Sequence, residues 1–224
     1  YFEGRAKRAR DVYWAKYSSD SPDDPDDPDN PDNPVNKKYT IKYVLYDGEN
    51  NSANPSSYKV TTETITLKKP TKKGYTFEGW YKESSFKNQI TTIPKGSKGN
   101  LTLYAKWKAN KYTIRFHGNK ATSGSVKEMK NLEYDMDYTL NSNKFKRKGY
   151  KFVRWSTKAD GSGRKYGNRE EIENLSSKNG AVVDLYAQWS RNTYKIIYKA
   201  NGGELADGTV KKYNVDTKTF KLKT

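Results

Sequence analysis

GYTFEGW at residues 74–80, closed by LTLYAKW at 101–107, returns along the chain as GYKFVRW at 149–155, closed by VDLYAQW at 183–189. A Tyr-led stretch stands upstream of each copy, YTIKY at 39–43 and YTIRF at 112–116, and a third, YKIIY, occupies 194–198. Self-similarity at a fixed period marks an array of one small module. The leading tyrosines Tyr39, Tyr112 and Tyr194 are 73 and then 82 residues apart, yet four residues separate both Trp107 from Tyr112 and Trp189 from Tyr194. A body of variable length with a constant joint predicts modules mounted in series, as a beaded rod. The expected divisions are repeat 1 over 37–109, repeat 2 over 110–191 and the first half of a repeat 3 over 192–224. The chain starts at Tyr1 and stops inside that third repeat, so it reads as a fragment.

Within a repeat the pattern is that of strands. Tyr39, Ile41, Tyr43 and Leu45 alternate onto one face, matched by Tyr112, Ile114, Phe116 and by Tyr194, Ile196, Tyr198. Turn signals follow at Asp47-Gly48, Gly118-Asn119 and Asn201-Gly202-Gly203. A second strand is expected through 58–67, 132–140 and 210–222. Tyr75 and Phe77 share a face, as do Tyr150 and Phe152, but Trp80 and Trp155 fall out of phase, so a bulge or turn near Gly79 or Arg154 is expected to return them to the core. The last strand aligns Leu101, Leu103, Ala105 and Trp107, matched by Val183, Leu185, Ala187 and Trp189. Tyr75, Phe77, Trp80, Trp107, Tyr150, Phe152, Trp155 and Trp189 are the expected structural core. Tyr104 and Tyr186 point the other way and are the better candidates for exposed contact. NREEIENLSS at 168–177, with Asn168 as cap and acids in its first turn, is the best helix candidate. The expected fold class is α+β, mainly β.

Modules of this size bury only about 60–65% of their unfolded surface and are marginal alone. The chain has no cysteine, which excludes disulfides, thiolate metal sites and thiol catalysis. Stability falls instead to 19 Tyr, 7 Phe and 5 Trp.

The net charge of +17 is unevenly spread: −4 over residues 1–36, +10 over 37–111, +6 over 112–190 and +5 over 191–224. The positive charge on the repeats favours anionic partners such as glycosaminoglycans, teichoic acids, nucleic acids or membrane headgroups. It also serves simply to keep an aromatic-rich module soluble. The sharpest clusters are Lys68, Lys69, Lys72 and Lys73 in repeat 1, and Lys144, Lys146, Arg147, Lys148 and Lys151 in repeat 2. Both lie around the Gly-Tyr pair. They read either as a recurring polyanion-binding site, strengthened by multivalency, or as a lysine-rich solvated loop.

Residues 20–34 read DSPDDPDDPDNPDNP, with proline at every third position. That step matches the three residues per turn of polyproline II, so an extended acidic linker over 20–36 is expected. Residues 1–19 read as the tail of a preceding domain, with a short basic helix over about 5–16.

Taken together, GYTFEGWY, LTLYAKW and KANGGEL at 199–205 resemble the Listeria–Bacteroides repeat, the internalin B-type B repeat of bacterial cell-surface proteins. The resemblance spans about 37–224. It implies a small β-grasp, ubiquitin-like module in a secreted or wall-anchored protein, where such repeats link a recognition domain to the cell envelope. Its partners would be anionic glycans, cell-wall polymers or a host surface protein. The second copy departs from the pattern at His117-Gly118 and at Arg154, where Gly is common, which leaves its local turn geometry open.

No catalytic, cofactor-binding or metal-binding residues are identified, and no small-molecule substrate or membrane span is expected. The one histidine, His117, has no counterpart in the sister copies and reads as a turn residue. The expected function is a non-catalytic, extracellular spacer and presentation stalk with weak adhesion to anionic glycans. The alternative is a nucleic-acid-binding basic array, which the acidic linker and the lack of a recognition motif disfavour.

Overall fold

The computed structural model describes residues 35–222, so the basic segment 5–16 and the Asp/Pro run 20–34 lie outside the described residues. The chain divides into two compact units between Lys108 and Ala109.

Unit 1 contains β1 (Tyr39–Val44), β2 (Ser57–Tyr58), β3 (Ile65–Thr66), β4 (Tyr75–Tyr81), β5 (Gln89–Ile90), β6 (Thr92–Ile93) and β7 (Leu101–Ala109). Its main sheet has the order β2-β1-β7-β4-β5, and β3 pairs with β6 apart from it. The first and last strands run parallel side by side, from Ile41↔Leu101 to Val44↔Tyr104. Unit 2 repeats the plan with β8 (Lys111–His117), β9 (Met129–Glu133), β10 (Asp137–Thr139), β11 (Tyr150–Ser156), β12 (Lys165–Tyr166), β13 (Glu171–Glu173) and β14 (Ala181–Arg191). Its sheet order β12-β11-β14-β8-β9 is that of unit 1 read from the other edge, and β10 pairs with β13. The third copy contributes β15 (Tyr194–Lys195) and β16 (Lys212–Tyr213), an antiparallel pair that stacks the rings of Tyr194 and Tyr213 at 5.2 Å.

Each core gathers where alternation brings apolar residues to one face. Ile41, Tyr58, Leu67, Trp80, Ile93, Leu103 and Ala105 form the first, and a larger set around Trp155, Ile114 and Leu185 forms the second. The register of β11 on β14 shifts between Phe152 and Arg154, and this bulge returns Trp155 to the interior. Phe77, Trp107, Phe152 and Trp189 pack against the cores while half-buried, and Tyr75 and Tyr150 are also half-buried.

Each leading strand ends in a turn whose two central residues have positive φ. These are Tyr46 and Asp47 (49° and 66°), Asn119 and Lys120 (46° and 71°), and Asn201 and Gly202 (46° and 93°). The indole N–H of Trp107 donates to Leu45 O at 2.8 Å, and that of Trp189 donates to Gly118 O at 3.0 Å, so the last strand fastens the first turn.

Two expectations are corrected. Among the described residues there is no helix, so the α component of the fold class is not observed and the units are all-β. The stretch 168–177 instead carries β13, held by Tyr138↔Ile172. Arg169 and Asn174 on either side adopt left-handed φ of 58° and 54°, and Ile172 alone is fully buried, which is strand periodicity with no helical stripe. The side chain of Asn168, the expected cap, accepts from Asn143 N at 2.7 Å and ties a loop. The expected second strand also breaks in two, because a turn at Lys59–Thr62 separates β2 from β3 and left-handed Asp135 separates β9 from β10. In the third copy the expected second strand, 210–222, is reduced to Lys212–Tyr213.

The buried phenols make the fold sensitive to alkali. Desolvation by burial raises the Tyr43 hydroxyl to about 12, and burial likewise raises Tyr58, Tyr112 and Tyr166. A pKa above the unfolded value of about 10 means the folded state favours the neutral phenol. Its contribution is therefore complete below pH 10 and is lost as pH rises toward 12. Tyr43 also donates to Pro55 O at 3.0 Å, a bond the phenolate has no proton to make. Thermal melts should hold steady near neutrality and fall steeply between about pH 10 and 12, and Tyr43→Phe should flatten that fall. An unchanged profile through pH 12 contradicts the argument.

Candidate functional site

The two basic clusters occupy equivalent turns ahead of β4 and β11. In unit 1, Glu49 and Thr71 exchange backbone bonds of 2.7 and 2.9 Å; in unit 2, Ser123 accepts from Lys146 N at 2.8 Å and Thr122 N donates to Lys146 O at 2.7 Å. The turn then closes by Tyr75 N donating to Lys72 O and Tyr150 N donating to Arg147 O, with Gly74 and Gly149 at φ of 79° and 76°. Backbone geometry thus presents Lys72-Lys73 and Arg147-Lys148 identically.

Their side chains fall into two kinds. The Lys72 ammonium lies 4.2 Å from the centre of the Tyr75 ring and donates to Tyr46 O at 2.7 Å. The Arg147 guanidinium lies 3.7 Å from the Tyr150 ring. Both are half-buried and held down by cation–π contact, which covers the Gly-Tyr pair. Lys68, Lys69, Lys73, Lys144, Lys146, Lys148 and Lys151 are exposed, and among the described residues none has a carboxylate within 4.0 Å. Acids elsewhere do find partners, as in Lys111–Glu133 and Arg115–Glu128, both at 2.9 Å. The pairing with Arg115 holds the Glu128 carboxyl below the usual range. In unit 1 the turn is anchored from beneath, where Asn54 and the Trp80 indole both donate to Lys68 O, at 2.9 and 3.0 Å. In unit 2 Val215 lies against Gly149, and Arg191 bonds Asp216, so the third copy borders that cluster on one side.

His117 is the last residue of strand β8, directly before the turn. Its ring stacks on Tyr186 at 4.5 Å and its Nε2 lies 2.7 Å from Asp184 Oδ1. Tyr186 is therefore a half-covered wall of a polar network, and Tyr104 is also half-buried. Among the described residues no three potential ligands converge on a metal position.

The profile of the Listeria-Bacteroides repeat domain matches the chain twice, at residues 39–106 and 112–188. A protein of Evansella cellulosilytica named as a membrane protein is 30% identical over 161 residues, 71% of this chain and 23% of its own length. A Gly-rich membrane protein of the same organism is 30% identical over 139 residues, 58% of this chain and 16% of its own. Internalin H of Listeria monocytogenes is 30% identical over 149 residues, 65% of this chain and 24% of its own. The chain thus spans between 16% and 24% of the length of these relatives. No solved structure matches it. The two matches fall one on each five-stranded sheet, from the leading tyrosine strand to the LYAxW strand, and the chain belongs to the Listeria-Bacteroides repeat family.

Proposed function

We propose that this segment is a non-catalytic spacer and presentation stalk of a bacterial cell-surface protein, with its lysine turns making weak contact with anionic glycans or cell-wall polymers. The observation that carries the adhesive part is the recurrence of exposed lysines, free of acidic partners among the described residues, on the same backbone turn in both units. A polyanion that meets both turns gains from multivalency. The spacer part rests on tandem copies with constant joints, and surface placement rests on the names of the relatives, two membrane proteins and an internalin. The module itself is a β-grasp variant on this reading. The parallel first and last strands at the centre support it, with β3 and β10 in the stretch between the second and third sheet strands where a β-grasp carries its helix.

The test is elution from heparin against a cation exchanger of equal charge density, for the native chain and for Lys69, Lys73, Lys146 and Lys148 changed to Gln. Lys72 and Arg147 are left intact because they cover tyrosine rings. The native chain should elute from heparin later than its charge dictates, and the variant should lose that excess. Binding should also weaken steeply with salt. Elution of both proteins at the position set by net charge leaves the stalk and removes the adhesion.

A further inference from the structure

The turn after the core tryptophan differs between the units in a way the fold does not require. Six residues past Trp80 stands Phe86, and six past Trp155 stands Gly161. Both adopt left-handed backbone, φ 54° and 80°, and both close the same turn, Phe86 N to Glu83 O and Gly161 N to Lys158 O, each at 3.1 Å. Glycine takes this conformation freely, whereas a bulky aromatic residue is strained there. The same contrast recurs seven residues past the leading tyrosine. Unit 1 places Tyr46 at φ 49°, where the other copies place Asn119 and Asn201, each at 46°. Asparagine is among the non-glycine residues that tolerate this region. A third aromatic residue, Tyr81, stands where unit 2 has Ser156.

These three residues meet. Phe86 lies 5.4 Å from Tyr81 and 6.4 Å from Tyr46, edge to face with each, and none of them belongs to the buried core cluster. Tyr46 is 44% exposed. Unit 1 therefore holds a row of aromatic rings at its surface, two of them at positions where its sister copies carry the residue the backbone prefers. Strain of this kind persists only where the surroundings hold it in place, and it clusters at ligand clamps and other functional sites.

The surroundings narrow the ligand. Lys106 bonds Glu78 at 3.1 Å and lies 5.8 Å from the Tyr81 ring centre, and the bond to Glu78 raises its ammonium above the usual range. Glu83 accepts from Lys87 N and Asn88 N, which hold its carboxyl below the usual range. Beside the rings, in sequence or by contact, stand the cations Lys72, Lys82, Lys87 and Lys106 and the acids Asp47, Glu78 and Glu83, with Lys72 bonded to Tyr46 O. This near balance contrasts with the lysine turn at 68–73 and selects against a polyanion. Apolar rings set edge to face beside one ion pair suit a ligand with an apolar C–H face and a hydroxyl edge, that is, a sugar ring.

We propose that the Tyr46–Phe86–Tyr81 surface of unit 1 is a stacking platform for an uncharged chain of hexopyranose rings, with hydroxyls reaching the Lys106–Glu78 pair. The site adjoins the unit 1 lysine turn through the bond from Lys72 to Tyr46 O, but does not rest on that turn's function.

Calorimetric titration of the full chain with cellohexaose and with chitohexaose, each in low and high salt, tests it. Saturable binding to at least one sugar, insensitive to salt, is expected. Tyr46→Asn, Tyr81→Ser and Phe86→Gly together install residues that the sister copies already carry, and should weaken binding about tenfold or more. Phe86→Gly alone should weaken binding while leaving the melting temperature unchanged or higher, because it relieves the backbone. If the triple variant loses its fold, Phe86→Leu, which keeps the bulk without the flat face, decides in its place. Absence of binding to both sugars, or equal binding by the substituted chain, overturns the proposal. Binding that fades with salt and with the lysine substitutions belongs to the basic turns and overturns it as well.

Discussion

Replacing Trp155 by alanine is expected to unfold the second unit. Trp155 is 0% exposed and is surrounded by rings, Phe116 at 4.8 Å, Phe152 at 5.0 Å and Phe145 at 6.3 Å. Truncating a buried tryptophan costs about 3–5 kcal/mol, because the transfer term is lost and the cavity does not fully collapse. At roughly 0.05–0.15 kcal/mol per residue, a module of this size has about 4–12 kcal/mol in all. With no disulfide to limit the unfolded chain, the loss takes a large share of that margin, and all of it at the lower end of the range. A calorimetric scan should lose the unit 2 transition, and near-ultraviolet dichroism should fall with it. An intact cooperative transition in the variant refutes the assignment of Trp155 as the keystone.

The milder substitution by phenylalanine should separate the two units. The Trp80 indole N–H donates to Lys68 O at 3.0 Å, whereas that of Trp155 is buried with no protein partner among the described residues. Phenylalanine at 80 sacrifices a hydrogen bond as well as volume, and at 155 it also removes an unpaired donor. Trp80→Phe should therefore cost more than Trp155→Phe, by about 1–2 kcal/mol.

What could be read from residues alone divides along physical lines. The strands beginning at Tyr39 and Tyr112 and those ending at Trp107 and Trp189 were legible because their alternation is local and their neighbours in the sheet confirm the same faces. The return of Trp155 to the core was legible because period two puts it out of phase with Phe152, while the choice of a bulge over a turn came only from the register on β14. The break between β2 and β3 was not, since which strand a residue pairs with is decided by partners far along the chain. Around Ile172 a capping asparagine and acids imitate a helix start, yet one buried side chain cannot stabilise a helical face. At the candidate site, charge showed where lysines gather but not that Lys72 and Arg147 lie flat on tyrosines. The strained aromatics were hidden for another reason. Tyr46 looks ordinary until it is aligned with Asn119 and Asn201, and only the backbone shows all three left-handed.

Gly124→Ala should dislodge the unit 2 lysine turn without altering a single charge. Gly124 has φ 87°, and a Cβ built there would stand 2.1 Å from Lys144 O and 3.0 Å from the Phe145 Cα. Both are backbone atoms, so no side-chain rotation relieves the overlap. The loop before Lys144 must instead part from the turn it braces through Ser123 and Lys146. Phe145 rides on that segment and packs its ring against Trp155, which carries the disturbance into the core. The left-handed backbone and the overlap together cost roughly 3 kcal/mol, a fall of about 12–24 °C in melting temperature for a module of this size. Lys144 and Lys146 lose their fixed positions, so the excess retention on heparin over cation exchange should shrink although net charge is unchanged. Gly180→Ala is the control in the same unit. Its φ is 74° but nothing lies within 4 Å of the added carbon, so only the backbone cost of about 1 kcal/mol applies. Equal losses in the two variants would show that backbone conformation alone decides the outcome. A deeper loss at Gly124, with heparin retention falling in step, ties the lysine turn to the loop that braces it.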